Sequence, residues 1–422
     1  MKKYNKPPIP CILLATVLIT TVAFIAGACG GGGSGGGSSS AAPSVSAPAS
    51  TPAPTPAPTP TPAPVTNVLA VTVDPGPANS INEPFASVTV CAPGTNNCQT
   101  IDHILVDTGS NGLRIFSSVL SSSIPLTQQA ASNGTSLVEC TQFSDGFAWG
   151  PVKAADIKIA GEQASSVAIQ IIGDPRFSTV PSDCSSTGPS LDTVQSFGSN
   201  GVLGVGLFLQ DCGPACAQST APGVYYGCSA STCLSTMVGL RQQVLNPVAL
   251  FTVNNNGVIL KLPSIPEAGA VTVNGSLIFG IGTQTNNGLG SAKILTTNTS
   301  GNISVVFNSK TYSESFIDSG SNGIFFPDGR TATCSGFYCP TSTQTFSAIN
   351  QGANGVTTPV SFLVANADTL LNTNFAAFST LGGTNPNANS FDWGLPFFFG
   401  RNVYTAIEGK STTGGTGPYF AY

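Results

Sequence analysis

From Asn67 onward, apolar and polar residues alternate in short runs that end at Gly, Pro or Asn, the period-two pattern of half-buried β-strands. Val68-Leu69-Ala70-Val71-Thr72-Val73, Ala86-Ser87-Val88-Thr89-Val90 and the run into Asp107 predict three strands, the last two joined by a turn over Ala92-Pro93-Gly94-Thr95-Asn96-Asn97. Phe143-Ser144-Asp145-Gly146-Phe147-Ala148-Trp149-Gly150 sets Asp145-Gly146 between apolar arms and predicts a hairpin, which continues into the alternating strand from Ala155 to Gly161. A glycine-punctuated apolar run follows at Val202-Leu203-Gly204-Val205-Gly206. The series starts again around Ala249-Leu250-Phe251-Thr252-Val253, with further strands at Gly275–Gly280 and Ile303–Phe307. Ala365 to Phe378 is one of the few stretches patterned for a helix. The chain closes with Phe391-Asp392-Trp393-Gly394 through Phe397-Phe398-Phe399-Gly400 and a strand Val403–Ile407, and this block mirrors the earlier run at Val202 to Gly206. The fold class is all-β. The restart predicts two related lobes, 67–248 and 249–422.

One stretch occurs twice. Ile104-Leu105-Val106-Asp107-Thr108-Gly109-Ser110-Asn111-Gly112-Leu113 returns as Phe316-Ile317-Asp318-Ser319-Gly320-Ser321-Asn322-Gly323-Ile324. A single Asp-Thr-Gly or Asp-Ser-Gly is ordinary turn chemistry. Two copies, each fed and followed by an apolar strand, point instead to two carboxylates brought together across a pseudo-two-fold axis.

The first 66 residues belong to a different class. Lys2, Lys3 and Lys6 precede an uncharged run from Pro7 that ends Ala26-Gly27-Ala28-Cys29, a pattern for membrane targeting. Gly30 to Ser40 is almost pure Gly and Ser, and Pro43 to Pro64 alternates Pro with Ala or Thr. Neither composition can bury a core; the second extends as polyproline at about 3 Å per residue, so 29–66 is expected to be a tether.

Composition narrows the function. Only 8% of the 422 residues are charged, and without the three lysines of the first 28 residues, 11 Lys and Arg face 19 Asp and Glu. Little basic charge remains to hold a phosphate backbone, so no nucleic-acid partner is expected. Of 12 cysteines, Cys11 falls in the targeting segment and Cys29 ends it, and the even remainder predicts disulfides in an exported chain. The close pairs are Cys91 with Cys98, Cys228 with Cys233 and Cys334 with Cys339. Cys140 with Cys184 would be the long one, and Cys212 pairs with Cys216 or mixes with the cluster reaching Cys233. With one histidine in the chain, zinc is not the expected reading of that cluster and no metal is predicted. His103, on the strand into Asp107, is expected to be a surface or satisfied side chain.

Two carboxyls within hydrogen-bonding distance cannot both ionise and share a proton, so one serves as base and the other as acid at the same pH. Such a pair can activate water against a carbonyl without histidine, metal, cofactor or covalent intermediate. Gly109 and Gly320 let the loops approach closely. Thr108 and Ser319 can bond across to the opposite loop, and Ser110 and Ser321 can bond the outer carboxylate oxygens.

On these residues the chain resembles the pepsin-like aspartic peptidases: the Asp-Thr-Gly-Ser and Asp-Ser-Gly-Ser motifs, the Val202-Leu203-Gly204 segment, the hairpin at Phe143 to Gly161 and the closing element from Trp393-Gly394 to Ile407 occur in the family's order. More narrowly it is similar to a bacterial lipoprotein family built on this duplicated pattern. The resemblance implies a bilobal fold with a central cleft, catalytic Asp107 and Asp318, and a substrate-covering hairpin offering Phe143, Phe147 or Trp149. It implies a monomeric endopeptidase acting on peptide or protein, in the bacterial cell envelope. The small residues before Cys29 resemble a lipobox, which implies a signal peptide over 1–28, a lipid on Cys29 and, with Gly30 next, the outer membrane. The sequence departs from the family where Arg114 stands in place of a tryptophan, where the hairpin lacks a tyrosine, and in having no basic propeptide. Those departures leave a non-catalytic binding lipoprotein as the alternative, and a surface structural or adhesive protein as a third possibility.

Overall fold

Alternation is what packs the first strand: along Val68–Val73, Leu69, Val71 and Val73 are buried and Ala70 is exposed. The computed structural model describes residues 67–422, and the signal segment 1–28, Cys29 and the tether 29–66 lie outside the described residues. What is described is mostly β. No helix among the described residues is long and apolar enough to cross a membrane.

One set of strands closes on itself. Pro84–Cys91 pairs antiparallel with Cys98–Asp107, which runs parallel to Gly201–Val205. Gly201–Val205 is antiparallel to Asn111–Phe116, whose other edge meets Glu162–Ile172 in parallel. Glu162–Ile172 forms a hairpin with Gly146–Ile159, and that long strand returns to Pro84–Cys91. The result is a barrel filled by β-branched and Leu side chains such as Val88, Ile104, Val106, Leu113, Ile157, Ile169 and Leu203, the residue types that fit a pleated, buried surface. Beyond the barrel, the start of Gly146–Ile159 pairs with Ser136–Phe143. Phe143 faces Gly146 across this hairpin, so its turn is Ser144-Asp145, one residue earlier than the Asp-Gly pattern predicts.

The second half builds another sheet around the repeated motif. Ile303–Phe307, Lys310–Ile317, Gln344–Gln351 and Thr357–Val364 are antiparallel neighbours. The end of Lys310–Ile317 runs parallel to Asp392–Trp393, which is antiparallel to Ile324–Phe325. Its core is aromatic, with Phe307, Phe326, Phe362, Phe391 and Trp393 in mutual ring contact. Trp393 is fully buried, and its indole N–H donates to Asn350 Oδ1 at 2.9 Å, which removes the cost of burying that donor.

The first strand joins this half. Val68–Val73 pairs antiparallel with Val273–Phe279, followed by Gly257–Lys261, Asn402–Ala406 and Tyr419–Ala421.

Two sequence expectations fail locally. Ala249 to Val253 is not a strand: Asn246 accepts from the Val248 amide and Pro247 opens a 3-10 turn, Pro247–Leu250, so extended pairing resumes only at Gly257. The pattern from Ala365 to Phe378 yields one short helix, Ala367–Leu371, capped by Asn366 and ended at Asn372. Asn372-Thr373 favours turns over helix interiors, and the amides of Ala376 and Ala377 donate to the Ala270 carbonyl.

Five disulfides are present among the described residues: Cys91–Cys98, Cys140–Cys184, Cys212–Cys216, Cys228–Cys233 and Cys334–Cys339. Within the cluster from Cys212 to Cys233 the bonds join sequence neighbours, and the mixed pairings do not occur.

Candidate active site

Each copy of the motif ends a strand and is held by the glycine of a partner run. Asp107 lies beside Gly204 in the parallel pair, and Asn111, Gly112 and Leu113 face Val205, Gly204 and Leu203 on the other side. A Cβ on Gly204 would fall 2.7 Å from Asn111 backbone, so only glycine admits the loop between the two strands. The second copy repeats this. The Asp318 amide donates to the Trp393 carbonyl, and a Cβ on Gly394 would meet the Gly323 carbonyl at 2.1 Å.

The two loops then lock to one another by reciprocal hydrogen bonds. Ser319 N donates to Thr108 Oγ1 at 2.9 Å and Thr108 N donates to Ser319 Oγ at 3.1 Å. Each hydroxyl passes its own proton onward, Ser319 Oγ to the Val106 carbonyl and Thr108 Oγ1 to the Ile317 carbonyl. All four groups are buried, so these bonds satisfy backbone that water cannot reach.

The lock sets the carboxyls face to face. Asp107 and Asp318 lie side by side, close enough for Asp318 to bear on the ionisation of Asp107, and both are buried. A Cβ on Gly109 would sit 2.5 Å from Asp318 Cγ, and one on Gly320 would sit 2.5 Å from Asp107 Oδ1. The inner oxygens accept from the Gly109 and Gly320 amides at 2.8 and 2.7 Å. The outer oxygens accept from Ser110 Oγ and Ser321 Oγ. Burial first, and then the charge and hydrogen bond of Asp318, push Asp107 up to about 7 from the usual 3.8, with Ser110 pulling the other way. The pair therefore keeps one proton across the acidic range, and so offers an acid and a base side by side.

The dyad opens into a cavity of about 320 Å³, which Phe143 and Ser144 of the hairpin also line. Phe147 and Trp149 do not line it. They are buried instead with Cys140, Cys184 and Tyr226, and the Trp149 indole donates to the Phe177 carbonyl. Alternation along the strand turns those two rings to the covered face of the hairpin. His103 is partly exposed between Asp74 and Asp102, on the surface as expected. The cluster of metal-type ligands among the described residues, Cys334, Cys339 and Asp368, has both sulfurs in a disulfide.

Arg114 is fully buried and reaches back to the motif loop. Its Nη1 donates to the Asn111 carbonyl, Nε to Thr141 Oγ1, and Nη2 to both Glu139 and Asp211. Glu139 and Thr141 stand on the hairpin strand, so the guanidinium ties that strand to the aspartate loop. The sequence reading singled out Arg114 and missed Glu139 and Asp211. A carboxylate inside Leu137-Val138-Glu139-Cys140, in a chain so poor in charge, was the available signal.

The family profile described as "Protein of unknown function (DUF3443)" matches residues 63–422. No curated protein matches the chain.

Proposed function

We propose that this chain, which belongs to that family, is a pepsin-like aspartic endopeptidase of the bacterial envelope, with a bilobal fold divided near residue 248 and a lipid anchor at Cys29. The observation that carries the reading is the pair of buried carboxyls Asp107 and Asp318, brought side by side past Gly109 and Gly320 and locked by the reciprocal bonds of Thr108 and Ser319. A water held between the carboxyls loses a proton to the ionised member, while the protonated member donates to the scissile carbonyl oxygen. Proton transfer to the leaving nitrogen completes hydrolysis of the peptide bond. Ser110 and Ser321 fix the outer oxygens, and the hairpin at Phe143 covers the substrate.

Purified protein with its disulfides intact is expected to cut an unfolded protein between about pH 3 and 7, to be blocked by pepstatin, and to lose cleavage in both Asp107→Asn and Asp318→Asn. Cleavage that survives in either variant overturns the assignment. The buried Arg114 and a hairpin bearing Phe143 favour a second reading, a binding lipoprotein that retains the cleft. That reading predicts a rise in melting temperature with pepstatin and no turnover.

A further inference from the structure

The cavity that receives substrate beside the dyad is lined by four carboxyls, Asp107, Asp318, Glu139 and Asp211, against the single cation Arg114. Arg114 is held in place, because most of its N–H donors are committed to Asn111, Thr141, Glu139 and Asp211. Glu139 is fully buried, and its Oε2 accepts no hydrogen bond from an N–H or hydroxyl of the protein. Asp211 faces it within hydrogen-bonding reach and also accepts from Tyr225 Oη at 2.7 Å. Burial, then the neighbouring Glu139, push Asp211 well above the usual carboxylate range. The two acids thus share one guanidinium.

We infer that this cavity is a subsite for a cationic side chain, a lysine or arginine of the substrate, recognised by Glu139 and Asp211; the inference rests on the endopeptidase reading above. A substrate ammonium or guanidinium supplies a second cation to the two acids. Beside side chains as buried as Glu139 and Arg114 the attraction between opposite charges is stronger than in water. An acidic side chain meets like charge there and is rejected. Phe143, Val224 and Phe316 on the same walls are apolar, which suits the alkyl stem of a long basic side chain.

The test compares two synthetic peptides that differ only by lysine or norleucine at one position flanking the scissile bond, after cleavage mapping of an unfolded protein. Mapped sites are expected to share Lys or Arg at one fixed position. There the lysine peptide should exceed its norleucine counterpart by roughly 10-fold in kcat/KM, a difference of about 1.4 kcal/mol. The ratio is expected to fall towards one in Glu139→Gln and in Asp211→Asn. Sites without a basic preference, a ratio near one in the wild type, or a ratio unchanged in both variants overturns the subsite. If the variants do not fold, the wild-type ratio decides alone. Absence of any cleavage removes the endopeptidase reading without deciding the subsite. Fluorescence anisotropy of the two peptides on Asp318→Asn protein then decides it: tighter binding of the lysine peptide upholds the subsite and equal binding overturns it.

Discussion

Gly109 and Gly320 set the separation of the two carboxyls, since a methyl at either would press on the opposite aspartate. Gly109→Ala or Gly320→Ala is expected to displace the dyad by a fraction of an ångström or more and lower kcat/KM by about 100-fold, the scale at which misplacement of a catalytic group acts. Steady-state kinetics checks this. Asp107 adds a pH signature. Its folded pKa of about 7 lies above the usual 3.8, so the folded state binds this proton more tightly than the unfolded chain does. Its contribution to stability is complete below the unfolded value and is lost as pH rises through about 7. Urea denaturation is therefore expected to show stability falling between about pH 4 and 7, with a weaker fall in Asp107→Asn. Both aspartates were legible from the duplicated motif. Glu139 and Asp211 were not, because a lone acid in a strand or loop announces no partner until the fold brings Arg114 to it.

The dyad is held by loops that bond each other as well as the strands beside them. Thr108→Val keeps the shape of the side chain but leaves the buried Ser319 amide without its acceptor. The expected loss is about 1–3 kcal/mol, the cost of one buried unsatisfied donor, measured by denaturant unfolding. Strands ahead of the motif were readable because their inward faces alternate, as in Ile303–Phe307. Phe147 and Trp149 were harder to place. On a hairpin, the choice between cleft and covered face follows from the neighbours packed behind it, here the Cys140–Cys184 disulfide and Tyr226. The segment at Ala249 has the composition of a strand, yet the cap at Asn246 bends it away.

For the chain as a whole, the long disulfide has the greatest leverage. Cys140–Cys184 closes a span of 44 residues, against 4 for Cys212–Cys216. By the loop-entropy argument, removing it should cost about 4 kcal/mol, and removing the shorter one about 2 kcal/mol. Paired Cys→Ser variants compared by thermal or urea unfolding test that order. The proposed anchor makes a separate prediction: Cys29→Ala abolishes palmitate labelling and moves the protein from the membrane fraction to the soluble one.

The all-β class, the two aspartate loops, the glycines they require and the pairing of most cysteines could be read from the chain alone, because each is written in local patterning or in a repeat. What those loops face came only with folding. The loop-to-loop lock, the burial that lifts Asp107, the inward turn of Phe147 and Trp149, and the acids gathered around Arg114 all depend on residues far apart in the chain. Such contacts leave no periodic trace, since a charge or a hydroxyl takes its meaning from the dielectric and the partners that folding supplies.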